Sequence, residues 1–311
     1  MTISLEPLER IPVDTFWSNN AKRGLLNRSI ELALTEDLNG GITGDLLREA
    51  DGDITTNAIV DPNLKARAVI YCKQADVLVA GLPVIDAVFA CLGKQVSINR
   101  LVSDGTKVET VPQVVAVIEG NARDILTAER TIINLVQRLS GIATTTRKYA
   151  EMAQPHGILI LDTRKTTPGL RVFERYAVTV GGGTNHRFGL YEAVLIKDNH
   201  IEIAGSVSAA ISKVKDKYPQ GEIEVECASL DQVQECLRYG VDKIMLDNMS
   251  PDMVAEAIGI VKGRCFIEVS GGINLTNIEG YLQPGVNAIS IGALTHSVAS
   301  VDFSLEVESY A

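Results

Sequence analysis

The second half of the chain repeats one short theme. Apolar, β-like runs at 223–225, 243–246, 265–269 and 287–291 begin 20, 22 and 22 residues apart. Amphipathic helical patterns fill the gaps. Val207, Ala210, Ile211 and Val214 keep the i, i+3, i+4, i+7 spacing of one helix face. Ser229 with Gln232 fits a capping box, and Gly240 ends that helix. Ser250-Pro251 reads as a cap and first turn, leading into Met253, Val254, Ala257, Ile258 and Val261, with Gly263 as terminator. Continuous apolar strands alternating with helices need cover on both faces, which is the signature of a parallel sheet. Two earlier runs, 158–161 and 193–196, extend the series. Six such units predict a closed or nearly closed α/β barrel.

Each run gives way to polar residues or glycine. In order these are Asp162-Thr163-Arg164-Lys165, Lys197-Asp198-Asn199-His200, Glu226, Asp247-Asn248, Ser270-Gly271-Gly272 and Gly292. Ligands bind at the C-terminal strand ends of such barrels. The segment 162–200 also gathers Arg164, Lys165, Arg171, Arg175, Arg187, Lys197 and His186, punctuated by glycines, in a chain whose net charge is −10. Local positive charge in an acidic protein points to a small anionic ligand rather than to nucleic acid.

The first 125 residues read differently. Helix-like stretches at 22–37 and 83–92 mix with β-like stretches at 66–71, 95–102 and 113–119, which predicts a separate α+β domain. A long helix over 125–153 bridges the two domains, burying Ala128, Ile132, Leu135, Val136, Leu139 and Ala143, with Arg130, Asn134 and Gln137 on the opposite face. The expected boundaries are 1–141 for the first domain and 142–293 for the barrel, with the β-like tail in 294–311 returning to the first. No apolar run spans a bilayer, and the N-terminus lacks the pattern of a signal peptide. The five cysteines are dispersed, with no Cys-x-x-Cys pair, and read as reduced thiols of a cytoplasmic protein.

The strand ends carry distinct chemistries. Ser270-Gly271-Gly272, before a helix expected near Asn274, offers backbone N–H groups to a phosphate, and Gly292 ends the neighbouring strand. Glu226 and Asp247 end adjacent strands. Their paired carboxylates suit Mg²⁺ or ribose hydroxyls, or a structural network with the nearby cations. Arginine provides planar contacts to carboxylates and lysine a point charge. No P-loop or dinucleotide fingerprint is present, so hydride chemistry has no support.

With these residues placed, the chain closely resembles the quinolinate phosphoribosyltransferases, from about residue 22 to 308. The resemblance rests on ERTIINLVQRLSGIAT, LDTRKTTPGLR, RYAVTVGGGTNHRFGL, LIKDNH, EVE, IMLDN, EVSGGI and ISIGALTHS. It implies an N-terminal open α/β sandwich, an incomplete α/β barrel, and a homodimer or assembly of dimers. In that assembly Arg130 reaches the substrate across the interface. It further implies that Thr163, Arg164, His186, Arg187 and Lys197 hold quinolinate. Lys165 and His296 lie near pyrophosphate. Glu226 and Asp247 serve the ribose and Mg²⁺ of phosphoribosyl pyrophosphate, and Ser270, Gly271, Gly272 and Gly292 take its 5′-phosphate. Lys165, Glu226 and Asp247 are the expected catalytic residues.

Two departures stand out. Arg175 replaces the lysine usual in the family before Tyr176-Ala177-Val178, keeping the charge, and residues 39–51 lengthen a link that is normally short. Two rival readings share parts of the pattern. One is a paralogous phosphoribosyltransferase resembling the ModD proteins found with molybdate transport. The other is a non-catalytic sugar-phosphate binding module, which would need Ser270-Gly271-Gly272 but not Lys165, Glu226 and Asp247 together.

Overall fold

The computed structural model describes residues 20–39 and 52–310. The N-terminal segment and most of the lengthened link at 39–51 lie outside the described residues. Twelve strands occur among them: β1 (Lys65–Cys72), β2 (Val77–Leu78), β3 (Ser97–Arg100), β4 (Lys107–Val108), β5 (Gln113–Asn121), β6 (Leu159–Leu161), β7 (Val194–Ile196), β8 (Ile223–Cys227), β9 (Lys243–Asp247), β10 (Phe266–Ser270), β11 (Ala288–Ser290) and β12 (Phe303–Tyr310). The chain forms two compact units. One holds Thr146–Lys165 and Gly182–Ser297; the other holds the described residues up to Thr145, with Thr166–Gly181 and the segment from Val298 onward.

The second of these units is built on an antiparallel sheet of order β12-β1-β5-β3, with a two-stranded ribbon of β2 and β4. In β1, Ala66, Ala68, Ile70 and Cys72 are buried in alternation while Lys65, Arg67 and Tyr71 stay at least partly exposed, a period-two pattern that breaks only at Val69, which is buried as well. The late strand β12 pairs along the length of β1, from Ala66 opposite Tyr310 to Cys72 opposite Phe303. The helix Ala122–Ala153 packs closely here. A β-carbon on Gly81, whose φ is +95°, would sit 2.6 Å from the Leu139 side chain.

The helix Arg171–Val180 also belongs to this unit, although it comes after β6 in sequence. The contiguous stretch 142–293 expected for the barrel therefore makes an excursion. Its cause is polar and buried: Tyr176 donates to Asp104 at 2.6 Å, and Arg138 donates to Glu174 at 2.6 and 2.8 Å. Burial raises the Asp104 pKa despite hydrogen bonds from Tyr176 and the amides of Gly81 and Leu82.

The other unit is a six-stranded parallel sheet of order β6-β11-β10-β9-β8-β7. Among the described residues no ladder joins β6 to β7, so the barrel is incomplete. Helices Val207–Lys217, Leu230–Tyr239 and Pro251–Val261 bury Val207, Ala210, Ile211, Val233, Cys236, Val254, Ala257 and Val261. A large aliphatic side chain among these contributes up to ~1.5–3 kcal/mol when fully removed from water. Ser206, Ser229 and Ser250 cap these helices, each accepting from the amide three residues on. Gln232 completes a variant capping box by accepting from Ala228 N rather than from the cap residue.

One expected element takes another form. After Gly272 the chain does not enter an α-helix near Asn274; it turns, and a short 3-10 helix covers Ile278–Tyr281. The Asn274 side chain accepts from Thr276 N at 2.9 Å, and Asn277 Nδ2 donates to Gly272 O at 3.0 Å. These side chains compete with helical bonding at its first turn. No helix among the described residues is long and apolar enough to cross a membrane.

Candidate active site

The C-terminal ends of the parallel strands surround a cavity of about 490 Å³. Its lining includes Thr163, Arg164, Lys165, His186, Arg187 and Lys197, together with Glu226, Asp247, Ser270, Gly271 and Gly272. Four arginines and lysines thus share the cavity with two carboxylates, an excess of positive charge suited to an anion. A volume of this size suits a small-molecule ligand.

The β6 end is anchored first. Asp162 is fully buried and accepts from His186 N and from Asn185 Nδ2, both at 2.7 Å. That ties the turn carrying His186 and Arg187 to the strand carrying Arg164 and Lys165. Lys165 N donates to Thr163 Oγ1 at 3.0 Å, and Thr295 Oγ1 donates to Lys165 O at 2.8 Å. Arg187 is buried and donates to Ala193 O at 2.8 Å. Burial, then repulsion from Arg164, lowers its pKa, against attraction from Glu224. Two guanidiniums held close at such a cost mark a place prepared for negative charge.

His186 has both ring nitrogens engaged. Nδ1 accepts from Arg187 N at 2.8 Å, so the proton of the neutral ring sits on Nε2. Nε2 faces Glu224 and Glu268, each at 3.5 Å. Burial opposes a second proton on the ring. The hydrogen bond and charge of Glu268, with the charges of Glu224 and Asp162, outweigh burial and raise the pKa. The three side chains lie within 4.8 Å of one another, a spacing compatible with a metal. The Nδ1 bond argues otherwise, because a protonated Nε2 has no lone pair to give. Burial and the charge of Glu268 push Glu224 up to about 8, so the proton of this acid pair rests on Glu224. Glu268 keeps its charge: burial raises its pKa, but bonds from His186, Ser290 and Glu224 lower it further.

Lys197, at the end of β7, forms an ion pair with Glu226, at the end of β8. Asp247, at the end of β9, accepts from Asn248 Nδ2 at 2.7 Å. Asn248 N donates to Ser270 O at 2.9 Å, joining the loops after β9 and β10. Gly271 and Gly272 take left-handed φ values of +95° and +64°, open to glycine at little cost. Gly292 precedes the short helix Ala293–His296 and lies under Lys165: a β-carbon there would sit 2.9 Å from Lys165 Cδ and 3.1 Å from His296 Nε2. His296 is exposed, 2.7 Å from Ser297 Oγ.

Thirteen of the fourteen residues singled out from the sequence fall in this one unit, at or beside the cavity. Arg130 belongs to the other unit, where its side chain is 61% exposed and 3.8 Å from Glu129. Sequence reasoning placed Asp162 and Asn248 at strand ends without giving them a role, and missed Glu224, Glu268 and Ser290. A signal existed: in Glu224-Val225-Glu226 and Glu268-Val269-Ser270 a polar residue recurs at i and i+2, which places both on one face of a buried strand.

Two family models match in tandem. The model for the N-terminal domain of quinolinate phosphoribosyl transferase covers residues 53–140, and that for its C-terminal domain covers 142–306. A quinolinate phosphoribosyltransferase [decarboxylating] of Nicotiana glauca, named as mitochondrial, is 38% identical, covering 91% of this chain and 82% of the relative. A probable nicotinate-nucleotide pyrophosphorylase of Bacillus subtilis is 41% identical, covering 82% of this chain and 88% of the relative. Among solved structures, NadC from Streptococcus pyogenes superposes with a TM-score of 0.82 at 40% identity, over 92% of this chain and 96% of that one. The nicotinate-nucleotide pyrophosphorylase of Francisella tularensis gives 0.82 at 35% identity, over 97% and 99%.

Proposed function

The chain belongs to the quinolinate phosphoribosyltransferase family, and from that membership we propose how its cavity performs the family's reaction. The reaction joins the ring nitrogen of quinolinate to C1 of phosphoribosyl pyrophosphate, with loss of CO₂, and yields nicotinate mononucleotide and pyrophosphate for NAD biosynthesis. The observation that carries the reading is the cavity itself, where four cations, two strand-end carboxylates and a glycine turn converge.

Arg164, Arg187 and Lys197 bind the quinolinate carboxylates, with His186 holding the Arg187 amide from behind. This positions the ring nitrogen toward C1, and positioning is a large part of such catalysis. As the C1–oxygen bond breaks, pyrophosphate leaves with the electron pair, beside Lys165 and His296. The nitrogen lone pair forms the new bond, and the ring becomes cationic. The bond from C2 to its carboxylate then breaks, the ring takes the electron pair, CO₂ departs, and the carbon takes a proton. Ser270, Gly271, Gly272 and Gly292 seat the 5′-phosphate.

Glu226 and Asp247 offer oxygen donors side by side, a set that fits Mg²⁺. They would hold it together with the ribose hydroxyls, and when bound it supplies positive charge at the pyrophosphate. The enzyme works as a homodimer, with Arg130 supplied to the partner's cavity; the exposure of Arg130 supports this. Five dispersed cysteines with no Cys-x-x-Cys pair support a reducing cytoplasm.

The decisive assay supplies purified protein with quinolinate, phosphoribosyl pyrophosphate and Mg²⁺, with nicotinate as comparison. Equal release of pyrophosphate and CO₂, with quinolinate alone, is expected. Pyrophosphate without CO₂, or binding without turnover, would reject the reading.

A further inference from the structure

Three non-glycine residues adopt positive φ among the described residues: Asp76, Asn248 and Lys262. Lys262 closes a helix C-terminus. Only Asn248 lines the cavity. Its φ is +55°, a conformation that asparagine tolerates better than most residues.

Three contacts radiate from this residue. Its Nδ2 donates to Asp247 Oδ2 at 2.7 Å. Its amide donates to Ser270 O at 2.9 Å, one step past the point where β9 and β10 stop pairing at Asp247 opposite Ser270. Its side chain fills the space beside Gly271: a β-carbon on that glycine would come within 2.6 Å of Asn248 Cγ and 2.7 Å of its backbone nitrogen. The left-handed backbone makes the set possible. An extended residue here would carry the next strand pair onward and swing the side chain away from its own neighbour.

We propose that Asn248 is a positioning residue for the phosphoribosyl donor, tying one oxygen of Asp247 and locking the Ser270–Gly271 turn against the end of β9. The inference rests on the reading of Asp247 and the glycine turn as the donor's ribose and phosphate contacts. With Oδ2 engaged by the amide, Asp247 presents Oδ1 to the ligand in one orientation. The same side chain fixes the backbone N–H groups of the turn, so ribose and 5′-phosphate are registered by one residue. Asparagine is required by its chemistry. Glycine keeps the backbone and loses the donor; aspartate keeps the shape and sets an anionic oxygen against Asp247.

The test uses Asn248→Gly and Asn248→Asp, with initial rates taken against each substrate while the other is saturating. Calorimetric titration of phosphoribosyl pyrophosphate with Mg²⁺ gives a second readout free of turnover, and thermal unfolding reports the fold. Both variants should stay folded and raise the donor's KM and Kd, roughly ten-fold or more for Asn248→Asp, the scale of one hydrogen bond lost to a charged group. Quinolinate KM should stay within about two-fold. Asn248→Gly is the decisive variant if the aspartate fails to fold. Donor affinity unchanged in the folded variants, or both KM values rising together, overturns the proposal. If the wild-type protein binds phosphoribosyl pyrophosphate but does not release pyrophosphate with quinolinate, the reading of function fails, while the calorimetric comparison still decides the role of Asn248.

Discussion

Two glycines of the cavity rim should answer differently to one added methyl group. Gly292 has φ −65° and ψ −31°, open to alanine without strain. Gly→Ala at such a site stabilises by ~0.4–1 kcal/mol through the unfolded chain. Against this, the new β-carbon meets Lys165 Cδ at 2.9 Å and His296 Cδ2 at 3.2 Å. Both belong to long or exposed side chains that can swing aside. Gly292→Ala should therefore leave stability within about 1 kcal/mol of wild type. It should nonetheless weaken phosphoribosyl pyrophosphate, because the methyl group occupies the approach to the backbone and displaces Lys165. A loss of ~1.4–2.8 kcal/mol corresponds to a ten- to hundred-fold rise in KM for the donor. Gly271→Ala is the contrast. Its φ of +95° disfavours alanine, and its β-carbon would meet the Asn248 backbone nitrogen at 2.7 Å, which cannot swing away. Left-handed strain of ~1–2 kcal/mol and overpacking of ~1–3 kcal/mol then add, and stability falls by about 2–5 kcal/mol. Urea unfolding monitored by circular dichroism, paired with pyrophosphate-release kinetics, measures both. Should Gly292→Ala lose more than about 2 kcal/mol, or keep its donor KM, the assignment of Gly292 to the phosphate rim is wrong.

The same geometry governs other perturbations. Arg187→Ala should raise quinolinate KM by roughly 100-fold or more, as expected when one partner of a desolvated charge contact is removed, while donor KM changes little; unchanged quinolinate affinity by calorimetry would reject the carboxylate contact. Arg187→Lys should recover only part, because a point charge does not replace a planar fork. Asp53 caps the helix Ile54–Ile59, accepting from Thr56 N at 3.0 Å. Burial raises its pKa, but the bonds from Thr56 and Thr127 outweigh it and hold the carboxyl below its ordinary 3.8. A depressed carboxylate stabilises fully above its unfolded pKa and loses that contribution as pH falls through the folded value. Asp53→Ala should cost about 1 kcal/mol at neutral pH. Asp53→Asn should keep the cap, and its difference from wild type should move in its favour on acidification below 3.8, read from urea midpoints across that range.

The strand-end face was legible in the sequence because a parallel strand buried on both sides must be apolar until it ends. A polar residue at position 162, 197, 226 or 247 therefore marks the mouth of the sheet. Glu224 and Glu268 escape that logic. They sit inside strands, and nothing local says that a histidine from a distant turn will face them. The glycine turn is legible as a strand-end loop, but the helix expected near Asn274 is not there, because Asn274 and Asn277 spend their side chains on the turn itself. The allegiance of Arg171–Val180 is hidden for a similar reason. It depends on Asp104 and Arg138, which lie 72 and 36 positions from their partners Tyr176 and Glu174. Asn248 is visible as a strand-end residue, but its left-handed backbone is not, since asparagine is compatible with many turns.

The pairing of β12 with β1 also sets a schedule. Arg67 and Glu308 touch across that ladder, 241 positions apart in the chain. A ribosome adding ~5–20 residues per second needs roughly 10–50 s between them. Through that interval the nascent polypeptide carries β1 with one edge of N–H and C=O groups unclaimed, an invitation to chaperones or to misassociation with neighbouring chains. The parallel unit is translated entirely within the wait, so the antiparallel sheet is completed only once β12 has been made.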